Sequence, residues 1–155
     1  MRKKMTERTV SHATFVIERA YEAPPERVFA AWTSPEVKSQ WFGNVAKPDP
    51  DYQLDFRVGG RELNKGGPEG GAVYTYDALY QEIVPGQRIA FSYIMDMDQT
   101  RISVSVATVE FKPDGSRTRL IYTEQGAYFD GHDKPEFREH GTKELLNNLA
   151  TYLAR

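Results

Sequence analysis

Four consecutive segments decide the fold of this chain: AVYTYDALYQEIV at residues 72–84, RIAFSYIM at 88–95, RISVSVATVEFK at 101–112 and TRLIYTEQGA at 118–127. Each is rich in β-branched and aromatic residues, which suit a pleated, half-buried surface. Turn signals separate them: Pro85-Gly86 fits a type II turn, Asp96 to Thr100 is polar, and Pro113-Asp114-Gly115 is a hairpin signal. Connections this short favour antiparallel neighbours. A strand of about eleven residues spans about 36 Å, long enough to curve around another element.

That other element follows the strands. Asp133 is placed to cap a helix, with Pro135 in the first turn and Glu136 three residues after the cap. Phe137, Gly141, Leu145, Leu146, Leu149, Tyr152 and Leu153 form a stripe at helical spacing. About 20 residues make a rod of roughly 30 Å, matched to the strands, so one helix can cover one sheet.

Upstream, Ala13 to Tyr21 is a β-rich run that Pro24-Pro25 stops. Val28, Phe29 and Trp32 share one helical face between Pro25 and Trp32. A second helix starts at Thr33-Ser34-Pro35-Glu36, where either hydroxyl can cap and Glu36 has capping-box spacing from Thr33. Val37 and Trp41, four apart, can both point inward. Phe42 to Asp51 is irregular, Tyr52 to Val58 is a weak strand, Gly59-Gly60 is a turn or bulge, and Arg61 to Lys65 is a short strand. The glycine-rich loop from Gly66 to Gly71 precedes neither a Gly-Lys-Ser/Thr nor a helix, so it is not read as a phosphate loop.

The chain has 155 residues, a size for one domain with a real core. Residues 13–155 are assigned to that domain, and Met1 to His12 to a flexible tail without the apolar core of a secretory signal. A net charge of −2 argues against nucleic acid as a partner. No stretch approaches the ~20 apolar residues of a membrane span, so no membrane insertion is expected. The absence of cysteine excludes disulfides and thiolate chemistry and fits a reducing, cytoplasmic setting.

Alternation along the strands sorts the side chains. Tyr74, Tyr76, Ala78 and Tyr80 share a face, as do Ile89, Phe91, Tyr93 and Met95, and Thr118, Leu120, Tyr122 and Glu124. The 101–112 segment is out of phase with itself, since Val104 and Val106 oppose Val109 and Phe111, and a mid-strand bulge would reconcile them. Aromatic residues on such a sheet are ordinarily plain core. Several tyrosine hydroxyls facing one interior nevertheless need partners, which points to a polar or ligand-filled space. Glu124 is the one charge in phase with that lining. A buried carboxylate must be paired or neutralised, with Arg57 and the tyrosines as candidate partners. His12, His132 and His140 lack metal-ligand spacing, and no Gly-x-Ser-x-Gly elbow occurs, so no metal and no cofactor is expected.

The order of several motifs resembles the START/Bet v1-like (SRPBCC) superfamily, and more narrowly the bacterial proteins similar to the C-terminal domain of the Hsp90 ATPase activator. The resemblance runs from Phe15 to Leu153. It rests on APPERVFAAWTSPE at 23–36, Trp41-Phe42-Gly43, Arg57-Val58-Gly59-Gly60, EIVPGQRI at 82–89, TVEF at 108–111, TRL at 118–120, and EHGT leading into LLNNLATYL at 139–153. It implies an α+β helix-grip fold: a curved antiparallel sheet of six or seven strands around a long C-terminal helix, with two short helices after strand one. It also implies a cavity that takes hydrophobic small molecules in many relatives. Many relatives carry Gly-Trp in the final helix, where this chain has Gly141-Thr142, a change that would enlarge the cavity and add a hydroxyl. The larger N-terminal domain of the eukaryotic activator has no counterpart here.

The leading expectation is a binding protein for a hydrophobic or aromatic small molecule, without a recognisable catalytic set. The candidate binding residues are Trp41, Phe42 and Arg57, then Tyr74, Tyr76, Phe91, Tyr93, Met95, Tyr122 and Glu124 from the strands, and Thr142, Leu146 and Leu149 from the last helix. One alternative is a cyclase or hydrolase with Glu124 as acid/base and Arg57 or Tyr122 stabilising an oxyanion. Another is a protein-interaction module that forms a homodimer or contacts a chaperone.

Overall fold

The computed structural model describes residues 7–155. Seven strands form one antiparallel sheet: β1 Val10–Tyr21, β2 Gln53–Leu54, β3 Arg61–Gly66, β4 Tyr74–Val84, β5 Arg88–Met97, β6 Thr100–Asp114 and β7 Arg117–Phe129. Their order across the sheet is β1-β7-β6-β5-β4-β3-β2. Hairpins therefore build everything from β2 to β7, and β1 returns to the far edge against β7. Between β1 and β2 lie two short helices, α1 Pro25–Ala30 and α2 Pro35–Lys38, and α3 Pro135–Leu153 ends the fold. This is the helix-grip arrangement the motif order implies.

β1, β5, β6 and β7 run one or more residues past their sequence-read limits, whereas β4 starts at Tyr74, two residues later than read. β1 starts at Val10, so Val10 to His12 pair with β7 and do not belong to a tail, while Met1 to Thr6 lie outside the described residues. The strand expected from Tyr52 to Val58 shrinks to Gln53–Leu54. The chain turns back at once: Gly60 sits where an added Cβ would lie 2.0 Å from the Asp55 carbonyl oxygen, which only glycine tolerates. Gly67, at φ +151°, plays the same part in the β3–β4 loop, with the Ala72 carbonyl 2.2 Å from where a Cβ would be.

β6 carries no mid-strand bulge. Ser103, Ser105, Ala107, Val109 and Phe111 point inward in unbroken alternation, and Val104 and Val106 are exposed on the outer face. The irregularity lies nearer the strand's start, where the β5–β6 register shifts between Met95 and Asp96 and leaves Ile102 buried beside Ser103. Two valines on the outer face mimic a core pair, and that misplaces the bulge in a reading by phase alone.

Of the two hydroxyls that could cap α2, Ser34 does so, accepting from the Val37 amide at 3.3 Å, while capping of α3 departs from the sequence reading. The N-cap of α3 is Lys134, with no side-chain cap. Asp133 turns its Oδ2 toward Arg138 instead, at 2.7 Å. On α3 the buried side chains are Thr142, Leu146, Leu149 and Leu153, spaced to cover one face. Phe137, expected in that stripe, is 65% exposed because at helical spacing it falls on the side away from Thr142, Leu146, Leu149 and Leu153. The helix is held at its other end by Tyr21, whose hydroxyl donates to the Leu146 carbonyl at 2.9 Å, and by Arg27, which donates to the Leu153 carbonyl at 2.8 Å.

Candidate functional site

Between the concave face of the sheet and the first half of α3 lies a pocket of about 380 Å³. Its size falls at the small end of ligand pockets. Trp32, Trp41 and Phe42 form one wall, Tyr76, Phe91, Tyr93, Met95 and Tyr122 the sheet side, and Gly141, Thr142, Leu145 and Leu146 the helix side. The exposed lining residues Asn44, Gly66, Gly67, Tyr74 and Phe137 mark the mouth. The wall is a chain of ring contacts: Trp32 on Trp41, Trp41 on Phe42, Phe42 on Tyr76 and Tyr76 on Tyr93, with centroids 4.7 to 6.0 Å apart. Such pairs each add about 0.5–1.5 kcal/mol beyond their burial and stiffen the wall.

Two buried ionic clusters stand behind the rings. In the first, Glu124 is fully buried, as its phase with Leu120 and Tyr122 suggests. Tyr122 donates to its Oε1 and Tyr93 to its Oε2, both at 2.8 Å. Arg138 completes the set. One Nη donates to the Tyr93 hydroxyl at 2.9 Å and lies 3.9 Å from Glu124; the other donates to Ser103 at 2.8 Å and to Asp133. Burial pushes the Glu124 carboxyl above the ordinary range, against the pull of the Tyr93 hydrogen bond, the Arg138 charge and the Tyr122 hydrogen bond.

The second cluster centres on Lys38 and Glu62, both essentially without exposure and 2.8 Å apart. Tyr80 donates to Glu62 at 2.7 Å, and the Tyr52 hydroxyl donates to its other oxygen. The Lys38 ammonium also sits 4.4 Å from the Phe42 ring centre and 5.2 Å from that of Trp32. Burial lowers the Lys38 pKa, and Glu62 opposes the shift. Removing one partner of such a pair would strand a buried charge at a cost of about 3–5 kcal/mol.

Ten of the thirteen candidate binding residues line the pocket: Trp41, Phe42, Tyr74, Tyr76, Phe91, Tyr93, Met95, Tyr122, Thr142 and Leu146. Three do not. Arg57 is on the surface, bonded to Asp55 at 2.8 Å, and is no partner of Glu124, because the turn at Gly59-Gly60 carries it outward. Leu149 is buried in the core one turn past the pocket. Glu124 lies behind Tyr93 and Tyr122, which cover both its oxygens. Thr142 faces the pocket, but its hydroxyl donates to the Arg138 carbonyl at 2.9 Å. Lys38, Glu62 and Arg138 escaped the sequence reading, since isolated charges on short or polar segments signal a surface. Among the described residues, no group of His, Asp or Glu side chains is arranged to hold a metal.

The profile of the family described as activator of Hsp90 ATPase homolog 1-like protein matches residues 22–154. The chain belongs to this family. A protein from Rhizobium leguminosarum has a solved structure that superposes on this Hsp90-activator-like chain with a TM-score of 0.92 at 44% identity, covering 97% of this chain and 99% of the other. A Rhizobium loti protein gives 0.87 at 45% identity, over 93% and 99%. A Chromobacterium violaceum protein gives 0.73 at 25% identity, over 92% and 97%. No curated protein matches the chain. Family and fold together support a ligand-binding architecture. No helix among the described residues is long and apolar enough to cross a membrane.

Proposed function

We propose that this Hsp90-activator-like protein binds a hydrophobic or aromatic small molecule in the pocket between sheet and α3. The observation that carries the reading is the pocket itself: about 380 Å³ bounded by a continuous wall of aromatic rings, with its lining charges already paired, Lys38 to Glu62 and Arg138 to Asp133. A dry core would close over such a space, because interiors pack with few voids larger than a water molecule. The acid–base alternative lacks support of this kind, since a substrate in the pocket would meet tyrosine hydroxyls before it met Glu124.

The test is isothermal titration against medium-chain fatty acids and polyphenols, with Thr142→Trp as control. Thr142 lines the pocket from the helix, so an indole there fills the space while the strands stay in place. The expected result is micromolar binding of at least one compound class by the wild type and its loss in the variant. Heats absent across the panel, or unchanged by the substitution, would reject the pocket as the binding site.

A further inference from the structure

The two edges of the sheet differ in length. β2 offers two residues and β1 offers twelve. An edge strand carries a row of unpaired N–H and C=O groups, and proteins commonly blunt a long one with proline, lysine or a bulge. β1 has none of these: from Val10 to Tyr21 there is no proline and no lysine, and the register against β7 runs unbroken. In an antiparallel ladder a residue turns its N–H and its C=O to the same side. The Thr9 carbonyl accepts from the Asp130 amide, so the odd-numbered residues face β7. The even-numbered Val10, His12, Thr14 and Val16 face outward, and among the described residues nothing bonds their backbone groups. The open stretch ends at Glu18, whose carbonyl accepts from the Arg19 guanidinium at 2.9 Å, while Arg19 Nε reaches Asn147 of α3 at 3.4 Å.

Charges flank this stretch in a set order, Glu7-Arg8 before it and Glu18-Arg19 after it. Turned about Ala13, the strand is complementary to itself. An antiparallel pair centred there sets Arg8 opposite Glu18 of the second copy, Glu7 opposite Arg19, Val10 opposite Val16 and His12 opposite Thr14, each twice. Moving the centre one residue, to His12 or to Thr14, unmatches both charge pairs. Val10 and Val16, 53% and 55% exposed, cover each other on the convex face, and Ala13 brings only a methyl to the axis. We infer that β1 is a self-pairing edge: two copies join antiparallel about Ala13, and Val10, His12, Thr14 and Val16 of each exchange backbone hydrogen bonds. Backbone bonds supply the affinity, and the flanking charges fix the register. The pairing is two-fold and β2 is too short to repeat it, so association stops at a dimer. None of these residues lines the pocket, so pairing and ligand binding are separate properties of the chain.

Sedimentation velocity over about 5 to 500 µM reads the association, since so small an interface gives a micromolar dimer and not a permanent one. Wild type is expected to pass from monomer to dimer and no further. Thr14→Pro removes one outward N–H and leaves the β7 ladder whole, as edge strands tolerate proline, and should weaken the dimer about tenfold or more. Arg8→Glu sets two acids opposite each other and should weaken it about threefold, and Arg8→Glu combined with Glu18→Arg should restore it to within about twofold. The chain has no cysteine, so a single introduced thiol can be oxidised cleanly. Ala13→Cys puts two thiols at the axis within disulfide reach and should give a covalent dimer. Ser11→Cys, with its two thiols about 13 Å apart along the strands, should stay monomeric. A chain monomeric throughout, a dimer that Thr14→Pro leaves intact, or equal cross-linking of the two cysteine variants would overturn the pairing. Where circular dichroism shows Thr14→Pro misfolded, the other variants decide: a charge swap that restores nothing, or no cross-link through Ala13→Cys, rejects it.

Discussion

Glu124 makes this fold sensitive to pH in one direction. Below the ordinary value of 4.5 the carboxyl is protonated both folded and unfolded, and it adds no pH dependence. As pH rises past 4.5 the unfolded chain releases its proton first, while burial in the native state resists release. The stabilising contribution of the neutral form is thus complete below 4.5 and is lost as pH climbs through the raised native pKa. Glu124→Gln, which keeps shape and hydrogen-bonding ability, removes that titration. Urea unfolding from pH 4 to 8 should show wild type losing stability relative to the variant across this window. A constant difference at every pH would mean that Glu124 ionises in the fold as easily as in the open chain. The inward aim of Glu124 was legible from its phase with Leu120 and Tyr122. Its true cationic neighbour was not, because Arg138 is drawn in by Ser103, Tyr93 and Asp133 from three separate places in the chain.

Among the elements, the long strands and α3 could be read directly, since each repeats one period over many residues. The short pieces could not, because two or four residues carry no period and are fixed by their neighbours. β2 exists only as far as its pairing with Leu63 and Glu62. α2 spans four residues, yet it holds Lys38 against Glu62 and so sets one wall of the pocket. Its hold on the chain rests on the Ser34 cap. Thr33 donates outward to the Ala30 carbonyl and belongs to the end of α1. Ser34→Ala should therefore lower stability by about 1 kcal/mol, the usual worth of a side-chain cap, and Thr33→Ala by less than half of that. Equal losses in chemical denaturation would reassign the cap.

At the scale of the molecule, the sheet is closed by its most distant parts. β1 pairs with β7 over twelve positions, from Val10 opposite Phe129 to Tyr21 opposite Thr118. One hydrophobic cluster draws buried side chains from β1, α1, the four long hairpin strands and α3, with Val37 of α2 packed partly buried against it. No hairpin can bury its inner face until α3 docks, and α3 has no surface to dock on until the strands have curved. Unfolding should therefore be a single cooperative event. Trp32 and Trp41 report on it from the α1–α2 side of the pocket, and far-ultraviolet circular dichroism reports on the sheet and α3 together. The two urea transitions should coincide in midpoint and slope. Refolding should fall in the millisecond-to-second range, since the pairing that joins the ends of the chain must wait for loop closure. A fluorescence transition well below the dichroism midpoint would show that α1 and α2 open on their own. The pocket wall would then be a separately melting unit, with the Lys38–Glu62 pair too weak to hold it to the sheet.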